Sequence, residues 1–255
     1  MNPPALIVPA AGLGSRLGAG VPKFLVPVAG VPMIDRLRAL YEDYVSHIVL
    51  IVHPSAEQAA SAHVRHWPAP VTCVVQPRPT GMLDAILTGV AALDDSDLSG
   101  TWITWCDQVA VAARTVRTLA ETTATHPGAA LVMPTVAKHA PYIHLDRDAD
   151  GRIVRVLHRR EGDAMPGTGE SDMGLFALSR HARGVLLPAY AREVEVGASS
   201  GERNFLPFIG WLAGRGEVVT FAAVDEMEAV GVNTPDELAA VERYLTSRTG
   251  RGPSS

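Results

Sequence analysis

Short apolar runs that alternate with stretches of helical periodicity constrain this chain more than any other feature. The first run, ALIVPA at residues 5–10, leads into a glycine-rich loop and then a helical stretch at 33–44. A strand is expected at 47–52 and a helix at 56–66, then a strand at 71–76 and a helix at 82–93. A further strand at 101–106, a helix at 115–125 and a strand at 129–134 continue the order. Apolar runs this short, each followed by a 3.6-residue period, are βα units, and such units wind into a parallel sheet with helices on its faces. The expected fold class is therefore α/β: a Rossmann-like mixed, mainly parallel sheet flanked by helices.

After residue 134 the rhythm breaks. Extended runs at 142–146 and 153–158 flank Asp148, Ala149, Asp150 and Gly151, a turn-forming set, so a β-hairpin is expected there. A strand at 173–178, helices near 180–190 and 205–213, a strand at 218–223 and a last helix at 235–245 complete the pattern, with Asn233-Thr234-Pro235 opening that helix. One compact domain over residues 1–247 accounts for this order, and the polar tail at 248–255 is expected to be frayed. No internal repeat is present.

Composition excludes several classes of function. With 47% apolar and 19% charged residues the chain can bury a full core, and a net charge of −5 argues against gripping long nucleic acid by phosphate neutralisation. A local basic pocket remains compatible with that balance. The N-terminus, MNPPALIVPAAG, lacks a basic segment and reads as a first strand, not a signal peptide, and no stretch approaches a membrane span. The expectation is a cytoplasmic protein with no membrane or nucleic-acid partner. Cys73 and Cys106 fit no zinc or thioredoxin-like spacing and read as buried free thiols.

The loop after the first strand reads Ala10-Ala11-Gly12-Leu13-Gly14-Ser15-Arg16-Leu17, with Pro22-Lys23 shortly beyond. A dinucleotide-binding loop would place a third small residue at or beside the position of Arg16, where an arginine stands instead. Two glycines let backbone N–H groups approach phosphate oxygens, and Arg16 with Lys23 would add two cations for departing charge. A tight turn with solvated Arg16 and Lys23 is the structural alternative.

Gly-x-Gly-x-Arg-Leu followed by Pro-Lys resembles the signature of the nucleotidyltransferases with the glycosyltransferase-A-like fold, the nucleotide-diphospho-sugar transferase type, which include sugar-1-phosphate uridylyl-, cytidylyl- and guanylyltransferases. The resemblance implies that Ala10, Ala11, Gly12 and Gly14 form the nucleotide loop and that Arg16 and Lys23 act on the NTP phosphates. Further positions agree in order. Gln76 followed by Thr80-Gly81-Met82 resembles the family's nucleobase contact, which places Gln76 and Gly81 at the base and favours UTP or CTP. Asp107, after the fourth strand of the pattern, matches the metal-binding aspartate, and Asn233 in Gly231-Val232-Asn233-Thr234 resembles the second metal ligand. Helix capping is the alternative at both positions. Magnesium is the implied cofactor, since carboxylate and amide oxygens suit it and waters and substrate phosphates complete its shell.

The resemblance divides the domain into an NTP-binding half at 1–135, an acceptor half at 136–230, and a metal motif with the C-terminal helix at 231–247. A phosphorylated acceptor is already anionic near neutral pH, so it can attack the α-phosphorus without a catalytic histidine. The implied partners are thus an NTP and a small phosphorylated acceptor, first a sugar 1-phosphate, with pyrophosphate released. The acceptor half departs from hexosamine-phosphate uridylyltransferases, which carry a glutamate near the position of Leu157 and Asn-Thr-Gly in place of Asp172-Met173-Gly174. Lys138, His139, Tyr142, Arg159, Arg160, Glu170 and Asp172 form the candidate acceptor site, bordered by Glu202-Arg203-Asn204. A cytidylyltransferase for a non-sugar phosphate, phosphonate or polyol phosphate is the second reading, and a non-catalytic nucleotide-binding regulator the third. Acetyltransferase activity, carried by a second half in some relatives, is not expected.

Three signals are set aside. Asp146-x-Asp148-x-Asp150-Gly151 imitates a calcium loop, but position twelve is Leu157 and helical flanks are lacking, so a hairpin turn is expected. His63 and His66 read as surface histidines, and the acidic run at 94–97 as a solvated loop.

Overall fold

The computed structural model describes residues 2–12, 14–94, 98–223 and 225–249. The chain runs through β1 (Ala5–Ala10), a ribbon of β2 (Pro27–Val28) and β3 (Val31–Pro32), α1 (Met33–Tyr41), β4 (His47–Val52), α2 (Glu57–Val64) and β5 (Val71–Val75). It continues through α3 (Met82–Ala91), β6 (Gly100–Thr104), α4 (Ala113–Thr125), β7 (Leu131–His139), β8 (Ile143–Arg147) and β9 (Ile153–His158). The last elements are β10 (Thr168–Asp172), β11 (Leu175–Ser179), α5 (Leu187–Glu193), α6 (Pro207–Trp211), β12 (Val218–Ala222) and α7 (Pro235–Thr249).

The main sheet has the order β10-β7-β11-β6-β1-β4-β5, with β12 on the other edge of β7. β6, β1, β4 and β5 are mutually parallel, and β12 is parallel to β7; β10 and β11 run antiparallel to β7, which makes the sheet mixed as expected. Period-two alternation explains how β1 feeds both faces. Leu6, Val8 and Ala10 join the core beneath α1, α2 and α4, while Ile7 joins Val49, Ile51 and Leu83 on the face covered by α3. Every residue of β1 is buried, the pattern of a central strand covered on both sides.

Several expectations need correction. β10, sequence TGESD, has no apolar alternation, yet it pairs with Thr135–His139 of β7 and brings Asp172 to the inner end of that ladder. The helix expected near 180–190 divides into a π-type turn at Ala182–Leu186 and then α5, because Pro188 can occupy only the first turn of a helix. α7 continues through Thr249, past the expected start of the tail at 248, and the Arg248 guanidinium lies 5.3 Å from the Tyr244 ring centroid one turn earlier. Residues 250–255 and 95–97 lie outside the described residues. His63 is half-buried, not superficial: its Nε2 lies 2.9 Å from Asp35 Oδ2 while Trp67 Nε1 donates to Asp35 Oδ1 at 3.0 Å, so it ties α2 to α1. Cys106 is buried, but Cys73 is only half-buried because β5 is the sheet's edge.

The hairpin of β8 and β9 forms as expected. Asp148 Oδ1 accepts the amides of Asp150 and Arg152 at 3.0 and 2.9 Å, which makes it a turn organiser. Among the described residues no group of three His, Cys, Asp or Glu side chains is placed to hold a metal.

Candidate active site

β6 ends at Thr104, and Trp105 N donates to Gly174 O at 3.0 Å, so the next residues leave the sheet between the carboxyl end of β1 and the amino end of the antiparallel β11. Ligands of open α/β sheets bind at such strand ends, and Asp107 stands there, 9% exposed. It caps no helix, because α4 starts at Ala113 with Ala112 at its N-cap. Capping is also excluded at Asn233. Glu237 Oε2 accepts Thr234 N at 2.8 Å and Glu237 N donates to Thr234 Oγ1 at 3.3 Å, the reciprocal box of a threonine N-cap. The Asn233 side chain is thereby left for other contacts.

Those contacts are with the glycine loop. Gly14 has φ +62°, and a Cβ there would stand 2.8 Å from Lys23 Cβ, so the loop closes on Lys23 only with glycine at this position. Lys23 is 8% exposed. Its Nζ donates to Asp107 Oδ2 at 2.5 Å and to Asn233 Oδ1 at 2.7 Å, and Arg16 Nη2 donates to the same Asn233 oxygen at 3.2 Å. Val232 N donates to Asp107 O at 3.2 Å, and Gly231 packs so closely that a Cβ would lie 3.2 Å from the Asp107 carboxyl and 3.3 Å from Asn233 Nδ2. Four residues from three distant stretches of the sequence thus converge on one point. The solvated-turn alternative for Lys23 is overturned; Arg16 is exposed but engaged.

A cavity of about 290 Å³ opens beside the loop, lined in part by Ala10, Gly12, Gly14, Ser15 and His53. Ala11 is half-buried and borders neither this cavity nor the larger one described next. Gln76 and Gly81 are also outside both. Gln76 is 5% exposed and its Nε2 donates to Gly81 O at 3.2 Å, while a Cβ on Gly81 would stand 2.5 Å from Arg203 O. In this state the pair locks the 76–81 loop against residue 203.

The larger cavity, about 530 Å³, begins at Arg16, Asp107 and Asn233 and extends beneath the β8–β9 hairpin. Of the acceptor candidates, Lys138, Tyr142, Arg160 and Asp172 line it; Arg159 and Glu170 do not. Arg159 donates to the carbonyls of Ala140 and Pro141 at 3.1 and 3.0 Å, and Glu170 forms a two-oxygen ion pair with Arg147 at 2.7 Å. Both side chains are spent on holding the hairpin. Exposed His139 is not among the lining residues. Of the bordering trio, Glu202 and Asn204 line the cavity, whereas Arg203 turns away to Asp84.

Several lining residues were not anticipated from sequence: Trp105, Gln108, His158, Ser171 and Phe205. Leu157 is buried in the core and the next residue, His158, faces the cavity, so the alternation of β9 shifts the departure by one position. Asp172 Oδ1 accepts Gly174 N at 2.8 Å, and burial pushes its carboxyl above the usual range against the pull of that amide and of Lys138. Burial pulls Lys138 and His158 below their ordinary values, with Asp172 and Glu161 respectively opposing the shift. Gln108 is 7% exposed and its Oε1 has no hydrogen-bond partner among the described residues.

A strand-end aspartate, a glycine loop carrying cations and an adjoining polar cavity define a site for phosphate chemistry on a mixed α/β sheet. Residues 6–171 match the family model described as MobA-like NTP transferase domain, and the chain belongs to that family. It is a nucleotidyltransferase. The chain is 30% identical over 247 residues to the bifunctional protein GlmU of Paraburkholderia phytofirmans, covering 93% of this chain and 51% of that protein. It therefore spans about half the length of the curated relatives it matches. Two solved structures share the fold: the inositol-1-phosphate CTP transferase of T. maritima (TM-score 0.71, 12% identity, 96% of each chain) and a putative glucose-1-phosphate thymidylyltransferase of Bacillus anthracis (TM-score 0.74, 14% identity, 94% of each chain). Among the described residues no helix is long and apolar enough to cross a membrane.

Family members generally use a divalent metal ion. The chain's donor set fits one: a carboxylate and an amide oxygen, both hard donors, already converge on the single cationic atom Lys23 Nζ.

Proposed function

We propose that this chain joins the nucleoside monophosphate of UTP or CTP to a small phosphorylated acceptor, in the first place a sugar 1-phosphate, and releases pyrophosphate. The observation that carries this reading is the convergence of Lys23 and Arg16 on Asp107 and Asn233 at the mouth of a polar cavity large enough for a small acceptor. The backbone of Gly12 and Gly14 approaches the triphosphate, and Arg16 and Lys23 neutralise the phosphates that depart. Gln76 and Gly81 form the base contact once the loop opens to nucleotide. Asp107 and Asn233 would hold Mg²⁺, which polarises the phosphoryl oxygens and spreads the charge of the leaving group.

Lys138, Tyr142, Arg160 and Asp172 bind the acceptor in this reading, with His158 added from the geometry. Lys138 and Arg160 bring positive charge to the acceptor phosphate, and Asp172 offers its free oxygen to a hydroxyl. The acceptor phosphate is its own nucleophile, so these groups align it and do not remove a proton. One domain over residues 1–247 carries both halves, and the cytoplasm supplies the NTP.

A second reading, a cytidylyltransferase for a polyol phosphate, draws support from His158 and Asp172, which line the cavity where the sequence departs from the hexosamine-phosphate uridylyltransferases. One matrix separates the readings: four NTPs against sugar 1-phosphates and polyol phosphates, with pyrophosphate measured. Release with a pyrimidine NTP and a sugar 1-phosphate is expected. Release only with CTP and a polyol phosphate selects the second reading, and silence in every pair favours a non-catalytic nucleotide-binding protein.

A further inference from the structure

We propose that Lys23 and Arg16 keep the oxygens of Asp107 and Asn233 closed to free divalent metal, so that the ion enters with the nucleotide and not before it. The inference rests on the reading of Asp107 and Asn233 as metal ligands and adds a function to the two cations beyond neutralising phosphate. Lys23 Nζ sits 2.5 Å from Asp107 Oδ2 and 2.7 Å from Asn233 Oδ1, the position where lone pairs of both oxygens meet. An ammonium and a divalent cation cannot share those oxygens at such distances without strong repulsion. Arg16 Nη2, 3.2 Å from the same amide oxygen, adds a second positive charge.

The oxygens cannot separate to accept both cations. Asp107 is fixed by Val232 N on its carbonyl and by Gly231 packed against its carboxyl, and Asn233 lies between that glycine and the Thr234–Glu237 cap. The Lys23–Asp107 pair has side chains only 10% and 12% exposed, so salt screens it little. Free metal entering alone would displace Lys23 into a buried place without a partner, which is costly. A triphosphate removes that obstacle, because its oxygens give both Lys23 and Arg16 new partners as they release Asp107 and Asn233. Metal and nucleotide then favour each other's binding by the same factor.

The test measures Mn²⁺ binding to the full chain by the electron paramagnetic resonance signal of the free ion, without nucleotide. Lys23→Met is expected to bind Mn²⁺ about tenfold or more tightly than the unaltered chain, and the gain should vanish in the Lys23→Met/Asp107→Asn double variant. Lys23→Gln keeps a donor for Asp107 and provides the same comparison should the methionine variant fail to fold. If neither single variant gains affinity, or the gain survives in the double variant, the gate is overturned. A parallel titration with Mn²⁺ plus UTP or CTP isolates the underlying reading. Asp107→Asn should bind the metal–nucleotide complex more weakly than the unaltered chain, and unchanged binding overturns the metal assignment and the gate together.

Discussion

Arg16, Lys23 and Asp107 of the nucleotide half and Asn233 at the start of the C-terminal helix meet within hydrogen-bonding distance, whereas Arg159 and Glu170 of the acceptor half turn away from the cavity they flank. The difference lies in what fixes each group. Asp107 follows the buried central strand β6, Asn233 precedes the capped helix α7, and Arg16 and Lys23 sit in short turns of the loop after β1, so backbone direction leaves these groups little choice of position. The acceptor half hangs on a two-stranded hairpin with many exposed polar residues, and there one polar side chain must hold the hairpin while its neighbour faces the ligand. Chemistry of residue type identifies the first kind of site; geometry alone sorts the second.

The strongest way to break this contrast is to remove a member of the convergent cluster. Lys23→Ala and Asp107→Ala are each expected to lower turnover by roughly 10² or more, the scale of losing a preorganised electrostatic partner. The measurement is pyrophosphate release at saturating substrates, with circular dichroism checking the fold. Near-normal release by both would place the chemistry elsewhere.

Glu228 sharpens the same side of the comparison. It is fully buried, and its Oε2 accepts Ala112 N at 2.9 Å and the Thr115 hydroxyl at 2.5 Å, which pins the turn leading to Asn233 onto the segment that follows Asp107. Glu228→Ala strands those donors and is expected to cost about 1–3 kcal/mol of stability, the usual penalty for buried unsatisfied groups. Denaturant unfolding gives that figure. In kinetics at a temperature where the variant is folded, turnover should fall while the acceptor KM stays near its original value; a change confined to the acceptor KM would contradict the assigned place of Glu228.

How far the sequence was legible follows the same division. The strands β1 and β4 announced themselves because buried parallel strands are continuous apolar runs, β5 and β6 are short β-branched and aromatic segments that fall at the regular spacing those two set, and Asp107 and Asn233 stood at the ends of recognisable segments. β10 was invisible: TGESD has neither alternation nor apolar content, and it is a strand only because β7 supplies a partner. The β2–β3 ribbon is too short for any period to register. At β9 the one-residue phase of a strand decided whether Leu157 or His158 entered the cavity, and period-two register is set by packing against α6, a contact no local window contains. The Asn233 alternatives were separated by Glu237, whose position three after Thr234 is a capping-box spacing that could have been read directly.

For the acceptor half a conservative change is the sharper probe. Asp172→Asn preserves size and the bond from Gly174 N but replaces a carboxylate oxygen facing the cavity with an amide group. The acceptor KM is expected to rise about tenfold, corresponding to about 1.4 kcal/mol of lost interaction, with the NTP KM changing less than about twofold. Steady-state kinetics with each substrate varied in turn reads both. An equal change in the two KM values would dissolve the distinction between the halves.

The smallest expected effect concerns the lip of the acceptor cavity. Glu161 accepts hydrogen bonds from Ser199 N at 3.0 Å and Asn204 Nδ2 at 3.3 Å, joining the turn after β9 to the loop that carries Glu202 and Asn204. The Ser200 hydroxyl and the Ser199 amide hold its carboxyl down to about 2, from an ordinary value of 4.5. A depressed carboxyl stabilises the fold above its unfolded value, and that contribution fades as pH falls from about 4.5 towards 2. Because the group is only half-buried and open to solvent screening, Glu161→Gln should lower the melting temperature by only a degree or two at about pH 7. The gap between the two proteins should narrow at about pH 3, where much of the wild-type advantage is already lost. Melting curves at both pH values check this, and a gap as wide in acid as at neutrality would show that packing of the lip, not the carboxylate's charge, holds the two segments together.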